Sequence, residues 1–423
     1  MTRPPVPSET LTALARTRPS PTTTAALRAA LHARRMLLLK SLLVRVERRR
    51  TMLPAAVLHG FERDWALLVR AERADPSAAR EVVDYPMTGA WLAEALAAPD
   101  GEPFARQLAP LGGVAIAAAV RAGCDVGGTV GVPSGALNLP GLGMLHCPSG
   151  LARLSGRAGL VRITDDGGDG EAVLRRTPSG PVGSGPGWAA LHTLPGSAVV
   201  LDDLDPYRSP PRGSGPRTVR AAEHTAGAHR TWAVRWCEAL DLLATTDPGR
   251  VAETGTVLRA VVPLSAPLRT GGLPVGATLR IAPGAALIQL PARAWQLANS
   301  LVHETHHTKL ALLDEVLPLC RPGGGALLRV AWRSDPRPVP AVVQGVYAHL
   351  ALADLWWRAV DGPGAADSWG GSARERLEAY REGVGEALSL LLESDELTFA
   401  GREFVLEMGR HHASLGVVGR NVS

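Results

Sequence analysis

Apolar residues return every three or four positions through most of the first third of the chain. Leu27, Leu31, Leu38, Leu42 and Val46 fall on one side of a helix expected over residues 23–50, and further helices are expected over 53–72, 76–81, 90–97 and 104–122. Tyr85-Pro86 and Trp91 mark the entry into the fourth of these, while Gly112 and Gly113 weaken the fifth, because glycine costs a helix interior about 1 kcal/mol. The Pro-, Thr- and Ser-rich first twenty residues lack the pattern and are expected to fray.

From Asp125 the period shortens to two. Residues 129–132, 160–164 and 172–175 alternate between glycine- and proline-rich turns, as short strands do. The stretch 208–217, with Pro210, Pro211, Gly213, Gly215 and Pro216, is expected as a loop and a boundary. Beyond it a single helix is expected over 219–246, with Trp232, Trp236, Leu240 and Leu243 on one side and Pro248 stopping it. Residues 257–264 and 278–290 read as strands of a hairpin or meander. Helical spacing then resumes through Leu297, Leu301, Leu310, Leu313 and Leu317, with Pro291 in the first turn and Pro318 and Gly323-Gly324-Gly325 as the stop. A last apolar helix is expected over 343–360.

These elements predict an α+β fold, mainly α, in three parts: a helical region at 1–124, a Gly/Pro-rich β segment at 125–217, and a helical domain at 218–423. In the third part the helix through residue 301 follows directly on a short antiparallel sheet.

Composition narrows the class. The chain of 423 residues, 46% apolar and 20% charged, is long enough for two or three domains with real cores. Its net charge of +5 is small for the length, and arginine carries nearly all of the positive charge, Lys40 and Lys309 being the only lysines. The one dense basic cluster, Arg45, Arg48, Arg49 and Arg50, has no aromatics interleaved with it, so it reads as a solvated helix face and not as a nucleic-acid surface. Cys124, Cys147, Cys237 and Cys320 are scattered without C-x-x-C spacing, which fits a reducing compartment. No stretch has the apolar core of a signal peptide, and the Ala-rich 108–122 run is short for a bilayer span. A cytoplasmic enzyme, without membrane or nucleic-acid partners, is the expectation.

The candidate chemistry lies at His303-Glu304-Thr305-His306-His307, which is H-E-x-x-H inside a helical stretch. Residues i and i+4 of a helix differ by about 40° of rotation, so His303 and His307 project from one face and can share an ion, with Glu304 beside them. His306 is the alternative second ligand. A catalytic ion needs a third protein ligand and open positions. The metzincin pattern is absent, since Leu310 and Leu313 stand where its glycine and third histidine would be. The glutamate of a thermolysin-like site is absent too, because no glutamate lies between Val316 and Arg374. The candidates for third ligand are His349, on the 343–360 helix, and Asp354, which would complete a two-histidine, one-carboxylate set. Between the two helices, Ala331-Trp332-Arg333-Ser334-Asp335-Pro336-Arg337-Pro338 is a proline-bounded loop with two arginines. Either can grip a carboxylate near the ion or pair with Asp335 at the surface.

In the stretches 301–310, 332–338 and Gln344-Gly345-Val346-Tyr347-Ala348-His349-Leu350, the chain resembles the HExxH-motif peptide-modification proteins, 2-oxoglutarate-dependent HExxH-type peptide β-hydroxylases of ribosomal peptide biosynthesis. Weaker echoes are 201–208 and Tyr85-Pro86 ahead of Trp91. The resemblance implies Fe(II) held by His303, His307 and His349, with 2-oxoglutarate and O2 as cosubstrates. It assigns a carboxylate of the 2-oxo acid to an arginine of the 333–337 loop, Arg337 first and Arg333 second. The substrate it implies is a ribosomally made precursor peptide hydroxylated at a β-carbon, in the company of other peptide-maturation enzymes. Glu304, the base of a hydrolytic site, would there orient a ligand or the peptide. Two other classes are a Zn(II) metallopeptidase with Glu304 as general base, and a binding protein with a closed structural metal.

Overall fold

The computed structural model describes residues 6–157, 159–209, 219–265, 275–361 and 368–416. It is mainly helical, with a helical start, a β-rich middle and a helical end. The helices of the first part are α1 (Ser8–Ala15), α2 (Pro21–Arg48), α3 (Ala55–Ala74), α4 (Pro76–Val83), α5 (Pro86–Ala97), α6 (Glu102–Arg106) and α7 (Pro110–Ala122). Far from fraying, residues 8–15 form a helix that buries Leu14 and Ala15 in the C-terminal core. Ser20 caps α2 by accepting a hydrogen bond from Thr23 N, with Pro21 in the first turn. Its buried stripe is Leu27, Leu31, Leu39, Leu42 and Val46; Leu38 is only partly buried.

The stretch expected as one helix over 104–122 is two, because Pro110 lacks a donor and starts a new helix. Residues Glu102–Ala122 are apolar enough to pass for a membrane span by composition, yet 67% of that window is buried within this protein. Gly112 and Gly113 permit the close packing. A Cβ on Gly113 would stand 2.0 Å from the Asn138 carbonyl oxygen, and one on Gly112 would stand 2.4 Å from Val130 Cγ2.

The middle of the chain forms β1 (Val126–Gly131), β2 (Ala136–Leu139), β3 (Gly143–His146), β4 (Leu151–Arg157), β5 (Leu160–Asp165), β6 (Glu171–Thr177), β7 (Gly180–Ser184) and β8 (Trp188–Ala190). One antiparallel sheet has the order β1-β4-β5-β6-β7 and a smaller one the order β2-β3-β8. Their inner faces share a single core with α2 to α7, so helices and strands are packed together across residue 125.

Then come β9 (His192–Thr193), β10 (Val200–Leu201), α8 (Ala228–Thr246), α9 (Pro248–Val257), β11 (Ala260–Pro263), β12 (Gly276–Thr278) and β13 (Ala285–Ile288). The expected loop at 208–217 lies, from residue 210 on, outside the described residues. Residues 219–227 are not helical: Ala221 bridges Leu264, and α8 begins only after Gly227 turns at φ 86°. Pro248 ends α8 but also opens α9, with the Asp247 side chain capping Gly249 N. The stretch read as one strand at 278–290 contains only the last residue of β12 and then, after a turn, β13, which pairs antiparallel with β12. The sheet they belong to is larger and mixed, with the order β12-β13-β11-β10-β9, and β11 runs parallel to both β10 and β13.

The chain closes with α10 (Ala294–Val316), β14 (Leu327–Leu328), β15 (Arg337–Pro338), α11 (Val339–Asp361), α12 (Ala373–Glu393) and α13 (Phe399–Ser414). Pro291 precedes α10 without entering it, and Gln296 closes the first turn by accepting from Arg293 N. Helix α10 lies between the mixed sheet and α11, buried almost all round.

Candidate metal centre

On α10 the neighbours of His303 and His307 are buried apolar or network residues, while these two histidines alone between Ala298 and Leu313 keep partial exposure. Their Nε2 atoms stand 3.0 Å apart, which is the spacing of two nitrogens each about 2.1 Å from one ion at near right angles. His307 Nδ1–H donates to Gln344 Oε1 at 3.1 Å, which directs the Nε2 lone pair into the site.

Helix α11 supplies the third imidazole. The His349 ring lies 5.2 Å from that of His303, and His349 Nδ1–H donates to the Gly345 carbonyl at 2.9 Å, leaving Nε2 as the free donor atom. Trp332 and Tyr380 flank the ring at 4.4 and 5.5 Å between centroids. Gly345 makes room for Trp332, since a Cβ there would sit 3.0 Å from the indole nitrogen. Among the described residues no three His, Cys, Asp or Glu side chains converge fully on one point. The donor chemistry nevertheless fits an ion: three imidazoles, two at ligand spacing and the third edge-on to His303, with its Nε2 making no hydrogen bond among the described residues.

Burial, followed by the neighbouring rings, keeps His303 well below the usual histidine range and His349 down at about 4. Burial also lowers His307, against the opposing pull of Gln344. All three are thereby neutral near pH 7, the form that binds metals.

Glu304 is held elsewhere. Its Oε2 accepts from Thr278 Oγ1 at 2.6 Å, and its Oε1 lies 2.4 Å from where a Cβ of Gly276 would stand, so both oxygens face the edge strand β12. Burial pushes its carboxyl up to about 7 despite the Thr278 bond.

The two loop arginines part company. Arg337 Nη1 donates to Asp335 at 3.0 Å on the surface. Arg333 is close enough for its charge to bear on all three imidazoles, and among the described residues it has no carboxylate at ion-pair distance.

The alternative ligands His306 and Asp354 are engaged with a different partner. His306 is fully buried and accepts from Arg250 Nη1 at 3.1 Å, while Asp354 accepts from Arg250 Nη2 at 2.9 Å. The structure therefore brings His303, His307 and His349 together, with the charge of Arg333 bearing on them, and groups His306 and Asp354 around Arg250.

Sequence reasoning missed Gln344 as the support of His307, Thr278 as the partner of Glu304, and Tyr380 as part of the wall. Gln344 belongs to the 344–350 stretch that carries the resemblance, but nothing in its spacing says that it reaches His307. Thr278 and Tyr380 come from elements whose approach to α10 and α11 only the packing sets. No protein-family model matches the chain, and no curated protein is significantly similar to it.

Proposed function

We propose that the chain is an Fe(II)- and 2-oxoglutarate-dependent hydroxylase acting on a side-chain β-carbon of a ribosomally made precursor peptide. The observation that carries this reading is the gathering of His303, His307 and His349 with the half-buried Arg333, together with the diversion of both nearby carboxylates, Glu304 and Asp354, to other partners. The resemblance of the 301–310, 332–338 and 344–350 stretches supplies the choice of iron and 2-oxo acid.

Bound iron would supply the activation of O2, with the 2-oxo acid oxidatively decarboxylated as the co-reductant and one oxygen atom delivered to a C–H bond. The three neutral imidazoles would hold the ion on one side and leave the opposite side open. Gln344 and the Gly345 carbonyl fix the ring orientations of His307 and His349. Arg333 would pair with a carboxylate of the 2-oxo acid, for which a guanidinium fork is suited. Trp332 and Tyr380 would shield the His349 side of the site from water. The four cysteines, all unpaired, are consistent with work in the cytoplasm.

One observation favours a second reading, a Zn(II) metallopeptidase: Glu304 has a carboxyl raised to about 7 beside an edge strand. Its two oxygens are nevertheless turned to Thr278 and Gly276, which leaves neither assigned to a metal-bound water.

The deciding experiment is anaerobic addition of Fe(II) and 2-oxoglutarate to metal-free protein, followed by visible absorption. A metal-to-ligand charge-transfer band that His349→Ala abolishes is expected. Its absence, with tight retention of zinc and peptide hydrolysis dependent on Glu304, would replace the hydroxylase by the peptidase.

A further inference from the structure

On the flank of α10 next to the face that carries His303 and His307 lies a buried set of charges that the proposed chemistry does not use. Arg250 and Lys309 have no exposed side-chain surface, Asp354 has none, and Glu253 has 2%. Arg250 of α9 donates from Nη1 to Glu253 at 3.2 Å, to His306 Nε2 at 3.1 Å and to the Thr17 carbonyl at 2.6 Å. From Nη2 it donates to Asp354 at 2.9 Å. Lys309 Nζ donates to Glu253 at 2.6 Å. Arg358 reaches Asp354 and Asp247 from the rim, and His411 Nε2 stands 3.7 Å from Asp354. The cations Arg250, Lys309 and Arg358 balance the anions Asp247, Glu253 and Asp354, with His306 and His411 kept neutral by burial.

Such a network is a poor device for stability alone, because desolvation offsets most of the attraction and well-packed apolar residues do as well or better. Its return has to be sought in geometry. The two helices that carry the candidate ligands are both fastened to it. Helix α10 bears His303 and His307 on one face and His306 and Lys309 on the network side; α11 bears His349 and, five residues on, Asp354. Sliding or rotating either helix would strip a buried charge of its partner, which is far costlier than re-registering apolar side chains. The chain also accepts local strain for the same junction: Thr17, the one non-glycine residue with positive φ among the described residues (54°), presents its carbonyl to Arg250.

We infer that this network sets the register of α10 against α11 for the candidate metal centre, with Arg250 as its central positioning residue. The inference rests on the metal-centre reading above.

The test is titration of the metal-free full chain with Co(II), followed by its visible ligand-field spectrum, alongside thermal melts. The charge-neutral double variant Glu253→Leu/Lys309→Met is expected to stay folded with a melting temperature close to that of the natural protein. It should bind Co(II) about 10- to 100-fold more weakly and with an altered spectrum, as loss of outer supporting contacts does. Arg250→Lys, which keeps the charge but loses the fork, should fall between the two and decides the matter if the double variant does not fold. Unchanged affinity and spectrum in a folded variant overturn the inference and leave the metal centre standing. Failure of the natural protein to bind Co(II) at all overturns both.

Discussion

His349 presents its Nε2 lone pair because the Gly345 carbonyl, one turn earlier on the same helix, accepts the hydrogen bond of Nδ1–H and so keeps the proton on that nitrogen. His307 is oriented in the same way by Gln344. At this scale the sharpest prediction concerns the two arginines of the 333–337 loop. Arg337 is committed to Asp335, while Arg333 has no ion-pair partner among the described residues and its charge bears on the imidazoles as well as on Asp335. Arg333→Ala is therefore expected to weaken 2-oxoglutarate binding about 10- to 100-fold, the worth of a charge-assisted hydrogen-bond pair, and Arg337→Ala to leave it within a few-fold. Titrating the anaerobic Fe(II) complex of each variant by its charge-transfer band measures both. Equal losses, or a larger loss at Arg337, would return the carboxylate to Arg337.

The H-E-x-x-H stretch was legible because helical period alone puts His303 and His307 on one face, and α10 keeps that face. The second candidate ligand helix was legible as a helix, but not what it would meet. Asp354 and His349 are both on α11, and the choice between them follows from how that helix is rotated against α10 and α9. Among the elements of the first part, α7 depends on its glycines most directly. Gly113→Ala would drive a Cβ into the Asn138 carbonyl, a backbone atom that cannot swing aside as a side chain does. A loss of about 1–3 kcal/mol is expected, read from the denaturant midpoint. A change under about 0.5 kcal/mol would mean that α7 and β2 separate easily, which the shared core argues against.

Across the whole molecule, distant parts of the described chain meet next to the candidate centre: α1 packs in the core formed by α10 to α13, and the α1–α2 turn meets Arg250. The basic cluster at the end of α2 is spent mostly within the chain, Arg45 and Arg49 on Asp100 and Arg50 on Glu62. Stability should depend on pH from both sides. Burial would raise Glu253, but the Lys309 ammonium and the Arg250 guanidinium outweigh it and hold it down at about 2. Burial brings His306 to about 3 and His411 to about 4. Groups lowered in the fold contribute stability that is present above their unfolded values and lost as pH falls. Acid unfolding should thus begin below about pH 6.5 and steepen below about pH 4.5. Asp205 behaves oppositely. Burial and then the adjacent Asp202 raise it to about 8, so its contribution is full below its ordinary carboxyl value and drains away as pH rises to 8. Asp205→Asn is expected to raise stability at pH 8, with the gain shrinking toward pH 4. Thermal melts of both proteins across that range check the sign, and a gain that grew on acidification would refute it.

The sequence by itself determined the period of each long element, the break from helix to strand near Asp125, and the single face of α10 that carries His303 and His307. These are local properties, set by spacing and by proline and glycine within a few residues. Only the tertiary structure decided that residues 8–15 fold as a helix, that 219–227 do not, that Glu304 turns to β12, and that His306, Lys309 and Asp354 meet Arg250 while His349 meets His303. Each of those outcomes depends on how one element is rotated and seated against another distant in the chain. The distances, desolvation and charge that then choose each partner exist only once the elements are packed.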